Sequence, residues 1–164
     1  MGMKQDQEQI QIERFWKWAY SDLRENQFNL GLLAEFLVVR SLKGEEYPRN
    51  MEKHIDIIYR ERNITVKGTK SSKEYFDGKR SILYQSLPSS VDIHCYIFCL
   101  FIAENDSTNP LITSNWKFAV MKKGEIGDRK SISWNTIEKI LAMNNRKIID
   151  YSEIRSEADK ILDT

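Results

Sequence analysis

The stretch HIDIIYRERNITVKGT, residues 54–69, carries the clearest structural signal in the chain. Two runs rich in Ile, Tyr, Val and Thr flank the polar residues 61–63. Such runs, joined by a short polar segment, predict the two strands of a β-hairpin. Asp56 interrupts the first run and Lys67 the second. Counting back from a turn near Arg62, we expect these two side chains to lie almost opposite each other.

Segments on both sides of this hairpin have the spacing of helices. Apolar residues at a helical period predict one helix within 12–26. Residues 29–43, which are apolar nearly all round and are followed by Gly44, predict a second helix that is buried. Near the end of the chain, residues 134–143 and 152–162 predict two more helices.

Three further strands are predicted after the hairpin, at residues 81–86, 93–103 and 116–121. The strand at 93–103 is apolar on both faces, so we expect it at the centre of the sheet. Only residues 87–92 precede it, too few for a crossover helix, so we expect it to lie antiparallel beside the strand at 81–86. The whole order predicts an α/β domain with one central mixed five-stranded sheet flanked by helices.

Composition narrows the class of protein. The 164 residues are 41% hydrophobic and 30% charged, with a formal net charge of +1. These values predict one globular domain over residues 1–164 and exclude a disordered chain. Near-neutral charge argues against nucleic-acid binding through bulk charge, so any such binding must come from a local patch. Residues 1–9 are expected to be disordered or derived from a tag.

The same sequence predicts a cytoplasmic protein without a membrane partner. No apolar run reaches the ~18 residues that a membrane helix needs. Residues 1–11 are polar and lack the apolar region of a signal peptide. Cys95 and Cys99 lie four residues apart in one apolar run. On a strand they are too far apart to form a disulfide, so we expect reduced core thiols.

Glu35 is a carboxylate inside the apolar helix predicted at 29–43. A buried carboxylate must meet a cation, a metal ion or hydrogen-bond donors, because burying it alone is unfavourable by several kcal/mol. Each of the three charged residues also has a plain structural explanation. Glu35 could reach solvent or join a structural ion pair, and Asp56 could face water at a strand edge. Asp56 and Lys67 could also form a cross-strand ion pair.

Taken together, a helix with a central Glu35, a strand with Asp56 and a hairpin strand ending in Val66-Lys67 resemble the PD-(D/E)XK nuclease superfamily. The resemblance extends over nearly the whole chain to a small bacterial family of uncharacterised single-domain proteins assigned to that superfamily. It implies a restriction-endonuclease-like fold and a metal-dependent DNA phosphodiester hydrolase. The implied cofactor is Mg²⁺ or Mn²⁺ and the implied partner is DNA. A homodimer would suit cleavage of both strands.

The resemblance also implies roles for individual residues. Asp56 matches the first metal-binding acid, and Lys67 matches the lysine that positions the attacking water. Glu35 matches the helix glutamate, which binds metal or assists the base, and the backbone carbonyl of Val66 is a further metal ligand. The chain departs from the pattern at Thr65, where the superfamily has Glu, Asp or Gln. Because a neutral hydroxyl is a poor ligand for Mg²⁺, we expect weak metal binding, with Glu35 as the second carboxylate or with an impaired site.

A basic stretch follows the hairpin and contains Tyr75 and Phe76. Its cations are Lys70, Lys73, Lys79 and Arg80. This composition suits a surface that contacts phosphates beside an aromatic platform, and it equally suits a solvated loop. Two other functions therefore stay open. The first is a catalytically inactive pseudo-nuclease that binds DNA or protein, which Thr65 favours, and the second is a protein-interaction module, which the near-neutral charge favours.

Overall fold

The computed structural model describes residues 27–43, 55–72, 81–83, 92–129 and 131–163. The helix predicted within 12–26 lies outside these residues, as do residues 1–9. The longer elements in chain order are α1 (Gln27–Lys43), β1 (Ile57–Tyr59), β2 (Arg62–Ser72), β3 (Ser81–Leu83), β4 (Cys95–Ala103), β5 (Trp116–Lys122), α2 (Lys123–Ile126), β6 (Ser131–Ser133), α3 (Trp134–Met143) and α4 (Ile154–Leu162). Short 3₁₀ turns precede β5 and α4. No helix in the described part of the chain is long and apolar enough to cross a membrane.

The described strands form a four-stranded mixed sheet in the order β1-β2-β4-β5. β1 and β2 are antiparallel, β2 and β4 are parallel, and β4 and β5 are antiparallel. The prediction of an α/β domain with an apolar inner strand at 93–103 is confirmed, because β4 pairs on both sides. The expected single five-stranded sheet is wrong for the described residues, since β3 pairs with β6 in a separate two-stranded sheet.

The expected antiparallel pairing of the third and fourth strands is also wrong. β4 lies parallel to β2, with Ile64 opposite Cys95 and Ser72 opposite Ala103. Residues 73–94 separate these two strands, and a parallel crossover needs only a dozen or more residues. The connection between the parallel strands β2 and β4 is therefore the whole of residues 73–94, and β3 lies within it.

Helices cover both faces of the sheet. On one face, α1 and α4 pack against alternate residues of β2 and β4, including Ile64, Val66 and Ile97. On the other face, α2 and α3 pack against Tyr96 and Phe98. Thr65 is the register partner of Tyr96, and Lys67 is that of Phe98. Because register partners share a face, the side chains of Thr65 and Lys67 leave β2 on the side opposite to α1.

α1 lies very close to β2. Its buried residues recur every three to four positions, as expected for one helix face, and are Leu30, Ala34, Leu37, Val38 and Leu42. A Cβ atom added at Gly68 would lie 2.7 Å from the Ala34 Cβ and 3.0 Å from the Leu30 carbonyl oxygen. Glycine at position 68 therefore allows the contact between helix and strand.

The turn of the hairpin is made by Arg60 and Glu61, which both have left-handed backbone angles, with φ of 49° and 63°. Tyr59 pairs with Arg62 and Ile57 pairs with Ile64. Two left-handed residues between paired strands form a type I′ turn. Extending this register by one residue sets Asp56 opposite Thr65. Lys67 therefore lies two residues beyond the position opposite Asp56, diagonal to it, because the turn lies earlier than Arg62.

The C-terminal helices begin close to where the sequence predicts them. The Ser133 hydroxyl caps α3 by accepting a hydrogen bond of 3.1 Å from the Thr136 amide. Before α4, the Glu153 carboxylate accepts a hydrogen bond of 2.9 Å from the Asp150 amide. Both cysteines are free and buried, as expected. Burial raises the pKa of Cys95 to about 12.

Candidate functional site

The Asp56 side chain binds to β2 just past the end of β1. Its Oδ2 atom accepts a hydrogen bond of 2.7 Å from the Val66 backbone amide. β1 begins only at Ile57, so the Val66 amide lies beyond the last backbone pair of the two strands. The Asp56 carboxylate accepts the hydrogen bond that a backbone carbonyl would accept if β1 continued beside Val66. Hydrogen bonds to a charged acceptor are stronger than those between neutral groups, which fixes Asp56 at this edge of β2.

The Val66 carbonyl faces the same edge. In a strand, the N–H and C=O of one residue point towards the same neighbouring strand. Because the Val66 amide points to Asp56, the Val66 carbonyl oxygen also points to this side of β2. A carboxylate and a carbonyl, both oxygen ligands of the kind that Mg²⁺ prefers, therefore lie on the same side of β2, past the last described pair of β1 and β2.

Thr65 is buried on the face of β2 opposite to α1, with 3% of its surface exposed. Among the described residues, its Oγ1 atom is the one buried side-chain polar atom without a hydrogen-bond partner. Its register partner Tyr96 is also buried, and burial raises the pKa of the Tyr96 phenol. A neutral, poorly solvated hydroxyl thus stands where the resemblance calls for an acid.

Lys67 and Glu35 belong to different faces of β2. Lys67 is half-buried on the Thr65 face. Glu35 is 8% exposed on α1, which packs on the Val66 face beside Gly68. Side chains on opposite faces of a strand can meet only around one of its edges, and Asp56 lies at the edge that faces β1. The convergence of Glu35, Asp56 and Lys67 in one cleft stays a prediction.

Within the described ranges, no group of three His, Cys, Asp or Glu side chains is placed to hold a metal ion. Mg²⁺ commonly binds through one or two carboxylates and several waters. Asp56 and the Val66 carbonyl fit a weakly held hydrated cation of that kind. Of the basic stretch, Lys70 lies half-buried on β2, and Lys73, Lys79 and Arg80 lie outside the described residues.

Sequence reasoning missed a contact between the hairpin and the C-terminal helix. The Tyr59 hydroxyl donates a hydrogen bond of 2.9 Å to Asp159 on α4. Burial raises the pKa of Tyr59, and the bond to Asp159 raises it further, so the phenol remains a donor. Arg60 pairs with Asp159 at 3.1 Å and with Asp163 at 3.0 Å. No local pattern announces these pairs, since about a hundred residues separate the partners.

Sequence reasoning also missed a cleft of about 820 Å³ that lies between β5, the loop after α3, and α4. The guanidinium of Arg146 lines it, donating to the Val120 carbonyl at 2.8 Å and pairing with Glu125. Glu157 lies 3.9 Å from the same guanidinium. Two further ion pairs line the cleft, Lys147 with Glu153 and Lys160 with Glu157. The lining includes none of the candidate-site residues.

No protein-family model matches the chain, and no curated protein and no solved structure is significantly similar to it.

Proposed function

We propose that the protein is a metal-dependent DNA phosphodiester hydrolase of the PD-(D/E)XK type, with activity impaired by Thr65. The observation that carries the proposal is the Asp56 carboxylate at the edge of β2, bonded to the Val66 amide at 2.7 Å. It supports a site in which Asp56 and the Val66 carbonyl face one edge, with Lys67 as the next residue of the strand. DNA is the proposed partner, and a homodimer would allow both strands to be cut.

Each residue has a distinct task in this proposal. Mg²⁺ or Mn²⁺, when bound, neutralises charge on the phosphate and lowers the pKa of a bound water. Asp56 and the Val66 carbonyl hold the cation, and Glu35 supplies a further carboxylate. Lys67 orients the water and stabilises the charge that develops on the phosphate.

The decisive experiment is the substitution Thr65→Glu, at the position where the chain differs from the PD-(D/E)XK pattern. The new carboxylate would stand opposite Asp56, so Mn²⁺ should raise the melting temperature and cleavage of DNA should rise well above that of the unchanged chain. Thr69→Glu is the matched control, because Thr69 is also buried on the same face of β2, two residues beyond Lys67. It adds the same charge away from Asp56 and should produce neither effect. Thr65→Gln serves if the buried glutamate impairs folding.

The readouts are circular dichroism, thermal melting with and without Mn²⁺, and cleavage of single- and double-stranded DNA. Lys67→Ala in the Thr65→Glu chain should abolish cleavage while Mn²⁺ still stabilises the fold. Correctly folded Thr65→Glu and Thr65→Gln chains that neither bind Mn²⁺ nor cleave DNA would contradict the proposal.

A second candidate is a catalytically inactive pseudo-nuclease that binds DNA or protein. The buried neutral hydroxyl of Thr65 favours it, since it removes one anionic ligand. Binding of DNA through phosphates should weaken steeply with salt, whereas a protein-interaction module should show no DNA binding at any salt concentration. Fluorescence anisotropy with a labelled DNA duplex at about 50 and about 200 mM salt distinguishes a DNA-binding pseudo-nuclease from a protein-interaction module.

A further inference from the structure

The hairpin that carries Asp56 has an unfavourable turn and a very short strand. Arg60 and Glu61 both occupy the left-handed region, with φ of 49° and 63°. Left-handed backbone disfavours residues other than Gly, Asn and Asp, because their Cβ atoms crowd the following carbonyl. β1 has only three residues, Ile57–Tyr59, paired with β2. The hairpin therefore gains little stability from its own turn and backbone pairing, and contacts with other elements matter more for its position.

α4 contacts Tyr59, the last residue of β1, and Arg60, the first residue of the turn. Asp159 accepts a hydrogen bond of 2.9 Å from the Tyr59 hydroxyl and one of 3.1 Å from Arg60. Asp163, one turn further along, pairs with Arg60 at 3.0 Å. The Tyr59 residue is 8% exposed, so its bond lies partly out of solvent. The Arg60 pairs are half-exposed and contribute less each, but they act on the turn residue itself.

We propose that Asp159 is a positioning residue for the candidate site: it clamps the Arg60–Glu61 turn and thereby holds the Asp56 carboxylate against the Val66 amide. Asp56 stands three residues before Tyr59, and an extended strand transmits a shift of one end to the other. Loss of the clamp therefore moves Asp56 relative to β2. The clamp itself follows from the contacts alone, and only its effect on metal binding rests on the proposed function.

The test is hydrogen exchange of individual backbone amides, followed by NMR. In Asp159→Ala, the Val66 amide should exchange about tenfold faster, the loss of roughly one hydrogen bond to a charged group. The Phe118 amide, bonded to the Ile149 carbonyl at 3.0 Å, should be unaffected, because it lies in another part of the sheet. Asp56→Ala is the positive control and should expose the Val66 amide directly.

Two comparisons separate a clamp from a general loss of stability. Asp150→Asn removes another surface ion pair, that with Lys117, and should leave the Val66 amide protected. Glu61→Gly added to Asp159→Ala should restore slow exchange, because glycine adopts the left-handed angle without strain. Equal acceleration of the Val66 and Phe118 amides, an unchanged Val66 amide, or no rescue by Glu61→Gly would each overturn the clamp.

The effect on the site is measured in the Thr65→Glu chain by calorimetric titration with Mn²⁺. Asp159→Ala should weaken the affinity about tenfold, the usual effect of removing a group that supports a metal ligand, and Glu61→Gly should recover it. An unchanged affinity would overturn the positioning role. If Thr65→Glu binds no Mn²⁺, the proposed function fails while the exchange of the Val66 amide still decides the clamp.

Discussion

At the scale of single residues, Thr65 is the least satisfied side chain that the structure describes. Its hydroxyl is buried and makes no hydrogen bond within the described residues. A buried polar group without a partner is unfavourable by about 1–3 kcal/mol. Thr65 stands one position before Val66, whose amide donates a hydrogen bond to Asp56. The position therefore invites substitution in both directions, towards charge and towards an apolar side chain.

We predict that Thr65→Val stabilises the protein by about 1 kcal/mol, because a methyl group replaces the unpaired hydroxyl at nearly the same volume. Urea denaturation measures the difference. Thr69→Val is the matched control, since Thr69 is a buried threonine on the same face that has an interaction partner. It should give no gain. A loss of stability in Thr65→Val would indicate that the Thr65 hydroxyl is satisfied in solution, by a bound water for example.

At the scale of elements, the packing of α1 on β2 decides where Glu35 lies. The closest approach is at Gly68, whose position would bring an added Cβ within 3.3 Å of the Gly31 Cα atom on the helix. The helix can lie this near only because glycine and alanine meet at the crossing. Any larger residue at position 68 must push α1, and Glu35 with it, away from the sheet.

We predict opposite effects for two substitutions at this crossing. Gly68→Ala should destabilise the protein by about 1–3 kcal/mol through overpacking against Ala34. Gly31→Ala should stabilise it by about 0.5–1 kcal/mol, because nothing lies within 4 Å of its added Cβ and alanine favours a helix interior. Thermal melting compares the two variants. Equal destabilisation by both would show that the helix seats differently on β2.

At the scale of the whole molecule, Arg146 ties three elements together. Its guanidinium reaches the Val120 carbonyl on β5, Glu125 on α2 and Glu157 on α4. The three charged side chains are only 14–17% exposed. Removing the arginine takes the ion-pair partner from Glu125 in a poorly solvated cleft, while Glu157 keeps its pair with Lys160 at 3.4 Å. A poorly solvated charge that loses its partner is strongly unfavourable.

We predict that Arg146→Met lowers the free energy of unfolding at pH 7 by about 3 kcal/mol. Lys147→Met is the control, because Lys147 is 77% exposed and its pair with Glu153 spans 3.5 Å; it should change stability by less than about 1 kcal/mol. Urea denaturation measures the free energy of unfolding of both variants, and an equal loss in Arg146→Met and Lys147→Met would contradict the prediction.

The sequence by itself was sufficient for the elements whose signal is local. Apolar periodicity located α1, β4, β5, α3 and α4 to within a few residues, because burial of one face or of both faces leaves a pattern in the chain. The hairpin was predicted for the same reason. The acidic and basic side chains inside apolar runs, Glu35, Asp56 and Lys67, were also visible without a structure.

Only the tertiary structure decided the register and the distant contacts. The two-residue turn at Arg60–Glu61 sets Asp56 opposite Thr65, and a left-handed turn without glycine has no clear sequence signature. β6 is three residues long and polar at both ends, so no alternation predicts its pairing with β3. Asp159 meets Tyr59 because α4 packs on the same sheet face as Tyr59. Such pairings depend on where whole elements come to rest, which is determined by the burial of their faces against each other and is not encoded in any short segment.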